Sequence, residues 1–152
     1  MNSPTIFDCN VLLQALISSQ GPAARCVRGA LSGEIHLVVS AYLLDELRSV
    51  ASRPKLVARF HLTEEKTEQF IEDVVEVAKL VSEVPHVFDY PRDPKDEPYI
   101  DLAIATKARL LVSRDKDLLA LNDMRLPEAV ELRRLHPAIE ILTPSEMALR
   151  LG

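Results

Sequence analysis

The sequence predicts an α/β protein with a central parallel sheet of about five strands, covered by helices on both faces. Two observations carry this. Short apolar runs rich in Val, Ile and Leu alternate with longer segments of helical periodicity. Several of the runs also end in a residue suited to start a helix, as at Asp8, Ser40 and Thr143. Alternation of this kind implies a parallel sheet buried on both sides, with right-handed connections.

The first strand is the run through Ile6 and Phe7, closed by Asp8, with a helix opening near Asn10. Being the earliest and most apolar, it is expected to lie centrally. Gly21-Pro22 breaks the chain before a helix through Cys26, Val27, Ala30 and Leu31. Ile35–Val39 reads as the second strand, and Ser40 caps a helix over Ala41–Ser52 that Pro54 ends. In that helix Leu43, Leu44, Leu47, Val50 and Ala51 form the core face. Asp45 points away from it, and Glu46 sits on its flank at about 100° from the centre.

Lys55–Leu62 reads as a short helical connection. Thr63 caps a long helix whose apolar stripe is Phe70, Ile71, Val74, Val75, Ala78 and Val81. Glu83–Val87 is expected as a third strand, despite Pro85. The loop Asp89–Pro98 is the densest in acids, and Pro98 suits the first turn of a helix over Tyr99–Ala108. Arg109–Ser113 reads as the fourth strand, followed by Asp115 and Asp117. A mixed stretch with a short helix around Glu128–Leu135 leads to the fifth strand, Ala138–Leu142. Thr143, Pro144 and Glu146 then form a capping box for a last helix.

A length of 152 residues suits one domain spanning 1–152. Apolar residues make up 47% and charged residues 27%, the balance of a globular protein that buries a core without staples. No apolar run reaches membrane-spanning length, and the N-terminus lacks a signal-peptide pattern, so a cytoplasmic location is expected. Cys9 and Cys26 are too few for a disulfide framework or a tetrahedral zinc site. The net charge of −5 argues against a strong non-specific nucleic-acid binder.

Strand C-termini and helix N-termini share one edge of a parallel layer, so Asp8, Glu46, Asp96 and Asp115 are expected to converge there. Asp93, Glu97 and Asp101 lie close to the third of these acids. Clustered carboxylates raise one another's pKa and demand protonation or a cation. An oxygen-only set with no His or Cys selects Mg²⁺ or Mn²⁺. The four histidines, His36, His61, His86 and His136, are scattered without ligand spacing and are expected at the surface or an edge. Arg92, Lys95, Arg114 and Lys116 flank the acids, as charges on a solvated surface also would.

Four segments in order carry a resemblance: Phe7-Asp8-Cys9-Asn10-Val11-Leu12, Leu43-Leu44-Asp45-Glu46-Leu47, Arg92-Asp93-Pro94-Lys95-Asp96-Glu97-Pro98 and Leu111-Val112-Ser113-Arg114-Asp115-Lys116-Asp117. Together they resemble the PIN-domain family from about Thr5 to Ser145, and most closely its VapC-like group, the toxins of toxin–antitoxin pairs. The resemblance implies a Rossmann-like three-layer α/β/α sandwich and Mg²⁺- or Mn²⁺-dependent cleavage of RNA. It also implies a homodimer and a cognate antitoxin. It carries the catalytic and metal-binding roles onto Asp8, Glu46, Asp96 and Asp115, with Asn10, Ser113 and Asp117 as accessory residues. For the third acid, Asp93, Glu97 and Asp101 compete, and the spacing to Asp115 favours Asp96. With RNA as the implied substrate, Arg92, Lys95, Arg114 and Lys116 suit its phosphates. Asn122–Pro137 looks like an insertion relative to the family. Two other readings compete: a catalytically inactive interaction module of the same fold, and a haloacid-dehalogenase-like phosphatase with Asp8 as nucleophile. For the phosphatase, Asn10 stands where an acid is needed.

Overall fold

The computed structural model describes residues 3–152; the first two positions of the domain expected over 1–152 lie outside the described residues. In chain order the elements are β1 (Pro4–Phe7), α1 (Cys9–Ile17), α2 (Pro22–Leu31), β2 (His36–Ser40), α3 (Ala41–Ala51), α4 (Pro54–Phe60), α5 (Glu64–Val77) and β3 (Lys79–Val81). They continue with α6 (Glu97–Thr106), β4 (Leu110–Val112), α7 (Lys116–Leu119), α8 (Pro127–Leu135), β5 (Glu140–Leu142) and α9 (Pro144–Leu151).

The five strands form one sheet in the order β3-β2-β1-β4-β5, with every pairing parallel. β1 is central, as its apolar character predicts, and Ile6 and Phe7 are fully buried. Helices α1, α2, α3 and α5 pack against one another, and α9 returns to pack on α2. With this strand order, connections of the usual right hand put α6 and α8 on the face opposite α1 and α3, consistent with a three-layer α/β/α sandwich. From β1 the chain winds outward to β2 and β3, then crosses back to β4 on the other side. Strand order therefore reverses between β1 and β4, and the crevice outside their C-terminal ends is where open α/β sheets take ligands.

Two expectations need correction. The third strand is Lys79–Val81, not Glu83–Val87, and it pairs with β2 through Val38↔Lys79, Val39↔Leu80 and Ser40↔Val81. The helix before it ends at Val77, so Ala78 and Val81 leave the helical stripe. Pro85 lacks the N–H a strand ladder needs, and the half-exposed Leu80 fits a short edge strand. Among the histidines, His136 is buried with Nε2 against the carbonyl of Ala108. His86 is exposed but gathers Asp89, Glu97 and Asp101 around its ring, so a scattered sequence position became a cluster. The short helix expected around Glu128–Leu135 is α8 (Pro127–Leu135), and it buries Ala129 and Leu132 in the core.

Candidate functional site

Asp8 leaves the end of β1 and caps α1: its Oδ1 accepts from the backbone N–H of Val11 at 3.0 Å. Its own N–H donates to the carbonyl of Val112 at 3.0 Å, which ties this turn to β4. Capping and site placement are thus compatible in one residue. The other oxygen, Oδ2, accepts a short hydrogen bond from the hydroxyl of Ser113. Ser113 is fully buried one residue past β4, and its Oγ also accepts from the N–H of Asp115 at 2.9 Å. One hydroxyl therefore joins the acid after β1 to the acid after β4.

Asp115 caps α7, with Oδ1 accepting from the N–H groups of Asp117 and Leu118 at 2.7 and 3.3 Å. Asp96 ends the short 3₁₀ turn Pro94–Asp96 and opens α6 without capping it through its side chain. It is 5% exposed, and among the described residues its Oδ2 is the one buried side-chain oxygen or nitrogen with no hydrogen-bond partner. Asp93 caps that turn, accepting from the N–H of Lys95 at 3.2 Å. On the neighbouring wall Glu46 of α3 accepts a short hydrogen bond from the hydroxyl of Tyr99, and lies 3.4 Å from that of Tyr42.

These side chains line one cleft of about 170 Å³, in which Asp8, Glu46, Asp93, Asp96 and Asp115 face only two cations, Arg53 and Lys95. Asp8 and Asp115 thus share a cleft, as convergence at the switch point requires. Four acids form a quartet here: one carboxylate oxygen each from Asp93, Asp96, Asp115 and Asp117 lie within 4.8 Å of one another. Asp8 and Glu46 line the same cleft. Of the competitors for the third acid, Glu97 and Asp101 turn away into a different cavity. Glu97 accepts from the N–H of Tyr90 at 2.7 Å, and Asp101 holds His86.

The electrostatics follow from burial and crowding. Burial raises the Asp96 carboxyl to about 8, and Asp115, Asp93, Asp117 and Asp8 add to the rise. Burial likewise lifts Asp8 to about 6; hydrogen bonds from Ser113 and Val11 pull down, and the charges of Asp115 and Glu46 push up. The thiol of Cys9 is raised to about 12, first by burial and then by Glu46, which leaves it inert as a nucleophile. The hydroxyl of Tyr99 is raised by burial and by its bond to Glu46, so it stays a donor.

A cluster of this kind can bind a hard cation. The donors are all carboxylate oxygens, and a buried, partnerless carboxylate oxygen is costly unless a proton or a cation meets it. The residue set fits a divalent ion on that observation. Asn10 is exposed at the mouth of the cleft. Of the basic residues, Lys95 lines the cleft, Arg92 is bound to Asp117 at 2.7 Å, Lys116 is exposed, and Arg114 lines a separate cavity. Sequence reasoning missed Tyr99 and Arg53. Tyr99 stands three residues after Asp96, and Glu46, Val50 and Arg53 follow i, i+4, i+7 spacing, so helical periodicity was the available signal.

The chain belongs to the PIN-domain family: the family's model matches residues 4–117, three quarters of the sequence. A search among curated proteins finds no match. The matched region takes in Asp8, Glu46, Asp96 and Asp115, and ends before α8, β5 and α9. PIN domains are typically nucleases and generally use divalent metals. Among the described residues, no helix is long and apolar enough to cross a membrane.

Proposed function

We propose that the protein is an Mg²⁺- or Mn²⁺-dependent endoribonuclease, the toxin of a toxin–antitoxin pair, built as a single PIN-like domain. The observation that carries the metal-dependent chemistry is the partnerless, buried Oδ2 of Asp96 within a quartet of carboxylates. Asp96 and Asp115, with Asp93 and Asp117, would hold the cation, and Asp8 and Glu46 line the same cleft. When bound, a divalent ion supplies Lewis acidity against a phosphodiester and acidifies water.

The chain's own groups do the positioning. Ser113 donates to Asp8 Oδ2 and fixes that carboxylate's rotamer. The Tyr99 hydroxyl orients Glu46, whose remaining acceptor capacity can take a proton from water in an in-line attack. Lys95 and Arg53 offset part of the negative charge an incoming phosphate meets. The phosphatase reading has no comparable support, because the amide of Asn10 cannot exchange a proton as its general acid/base must.

The test is cleavage of RNA by the purified chain in Mn²⁺, in EDTA, and with Asp8→Asn and Asp96→Asn. Activity should vanish in EDTA, and each substitution should reduce it by more than about 100-fold, beyond the effect typical of an outer-shell partner. Cleavage that survives chelation and both substitutions would refute the metal mechanism. A wild-type chain that binds Mn²⁺ yet cuts no RNA would favour the interaction-module reading. The toxin role predicts growth arrest on expression, relieved by a co-expressed antitoxin. A cytoplasmic homodimer is proposed with it; exposed apolar side chains such as Leu31 and Leu149 suit a subunit contact, and sedimentation would test it.

A further inference from the structure

The acidic cleft carries five carboxylates and is small, so it cannot alone grip a polyanion. A larger cavity of about 510 Å³ lies next to it along the same sheet edge. Two elements run through both. On α1, Asn10 lines the cleft and Gln14 lines the cavity, one helical turn and about 6 Å further on. After β4, Asp115 lines the cleft and its neighbour Arg114 lines the cavity.

The cavity's chemistry differs from that of the cleft. Its only charged lining residue is Arg114, and the side chains of Arg114, Gln14, Gln20 and Ser145 make no hydrogen bond or ion pair among the described residues. Arg92, by contrast, is held by Asp117. Ala23 and Leu119 supply apolar surface between these polar groups. An unpaired guanidinium, two free carboxamides and an apolar floor match the parts of one nucleotide: phosphate, base edge, and base or sugar face.

We infer that this cavity is a nucleotide subsite, which holds the part of a single-stranded RNA next to the phosphodiester in the acidic cleft. Arg114 meets a backbone phosphate, and Gln14 and Gln20 meet a base edge. The inference rests on the ribonuclease reading for its choice of strand, but it can be tested without cleavage.

The probes are fluorescein-labelled octamers of oligouridylate and oligoadenylate, titrated by anisotropy in Ca²⁺, with gels showing that they stay intact. Wild-type chain should bind, and Arg114→Ala should weaken binding about 5- to 10-fold while making the dependence of log K on log salt shallower by about 0.7. Arg114→Lys should restore most of the salt slope. Gln14→Ala should weaken one octamer more than the other, and the side-chain amide resonances of Gln14 and Gln20 should move on titration. Affinity and salt slope unchanged in Arg114→Ala, or amide resonances that stay still, would overturn the subsite and leave the cavity to a protein partner. Arg114-dependent binding without any RNA cleavage in Mn²⁺ would uphold the subsite and defeat the nuclease reading. Cleavage with Arg114-independent binding would do the reverse.

Discussion

Asp101 Oδ2 lies 2.8 Å from Nδ1 of His86, while Oδ1 of the same carboxylate accepts from the N–H groups of Val87 and Phe88 at 3.0 and 2.9 Å. Every oxygen of this buried acid is engaged in pinning the segment between β3 and α6. Asp96, five residues earlier, has a buried oxygen with nothing to meet it. Two acids at the start of one helix thus have opposite fates, and their substitution should separate stability from activity.

Asp101→Asn removes charge-assisted acceptors from two backbone donors and an imidazole, so it should cost about 1–3 kcal/mol of stability. RNA cleavage per folded molecule should stay within about threefold of wild type, since the side chain faces another cavity. Asp96→Asn should do the opposite. Its carboxyl is raised from the usual range to about 8, so the folded state holds a proton that the unfolded chain has released. Metal-free wild-type protein therefore loses stability as pH climbs from about 4 to about 8, and the asparagine variant should escape that loss. Denaturant melts at pH 5 and pH 8 in EDTA, with cleavage assays in Mn²⁺, check both halves.

The sequence favoured Asp96 but kept Asp101 as a competitor, because both belong to the first turns of one helix, where an acid is favoured by the backbone whatever else it does. Only the path of residues 82–93 decides which of them is consumed, and that path depends on tertiary contacts. Asp8 and Asp115 were legible because strand ends announce themselves: a buried apolar run stops at a polar residue. The third strand was misplaced for a related reason. At the sheet's edge Lys79-Leu80-Val81 lacks the apolar density of a central strand, and its residues continue the helical stripe of α5. The Arg92–Asp117 pair joins positions far apart in sequence, and no local pattern encodes it.

Ser113→Ala should loosen both acids that its hydroxyl links. Asp8 Oδ2 would lose its donor and the Asp115 N–H its acceptor, a stability loss of about 1–3 kcal/mol. Cleavage should drop about 10–100-fold, the range for a group that orients ligands rather than serving as one. Threonine keeps the hydroxyl, so Ser113→Thr should recover most of the activity if the buried site accepts the extra methyl. A comparison of kcat and Mn²⁺ affinity across the three proteins checks the positioning role.

His86 predicts an alkaline trend. Hydrogen bonds from its ring to Asp101 and Asp89 hold the imidazolium up to about 9, above the ordinary 6.5. A raised pKa contributes stability in full below the unfolded value, and the contribution fades as pH rises through about 9. Melting temperature should fall between pH 7 and pH 10, and His86→Gln should flatten that limb. The ring is exposed, so the amplitude should be small.

Calorimetric titration of Mn²⁺ into the metal-free chain at pH 7.5, alongside Asp96→Asn, tests the central claim most directly. Wild-type protein should bind the ion with release of protons and tighten as pH rises toward 8, because the ion must displace the proton that burial keeps on Asp96. The asparagine variant should bind at least about tenfold more weakly and release fewer protons. Equal affinity in the two proteins, or no binding to the wild type, would contradict a metal site built on that carboxylate.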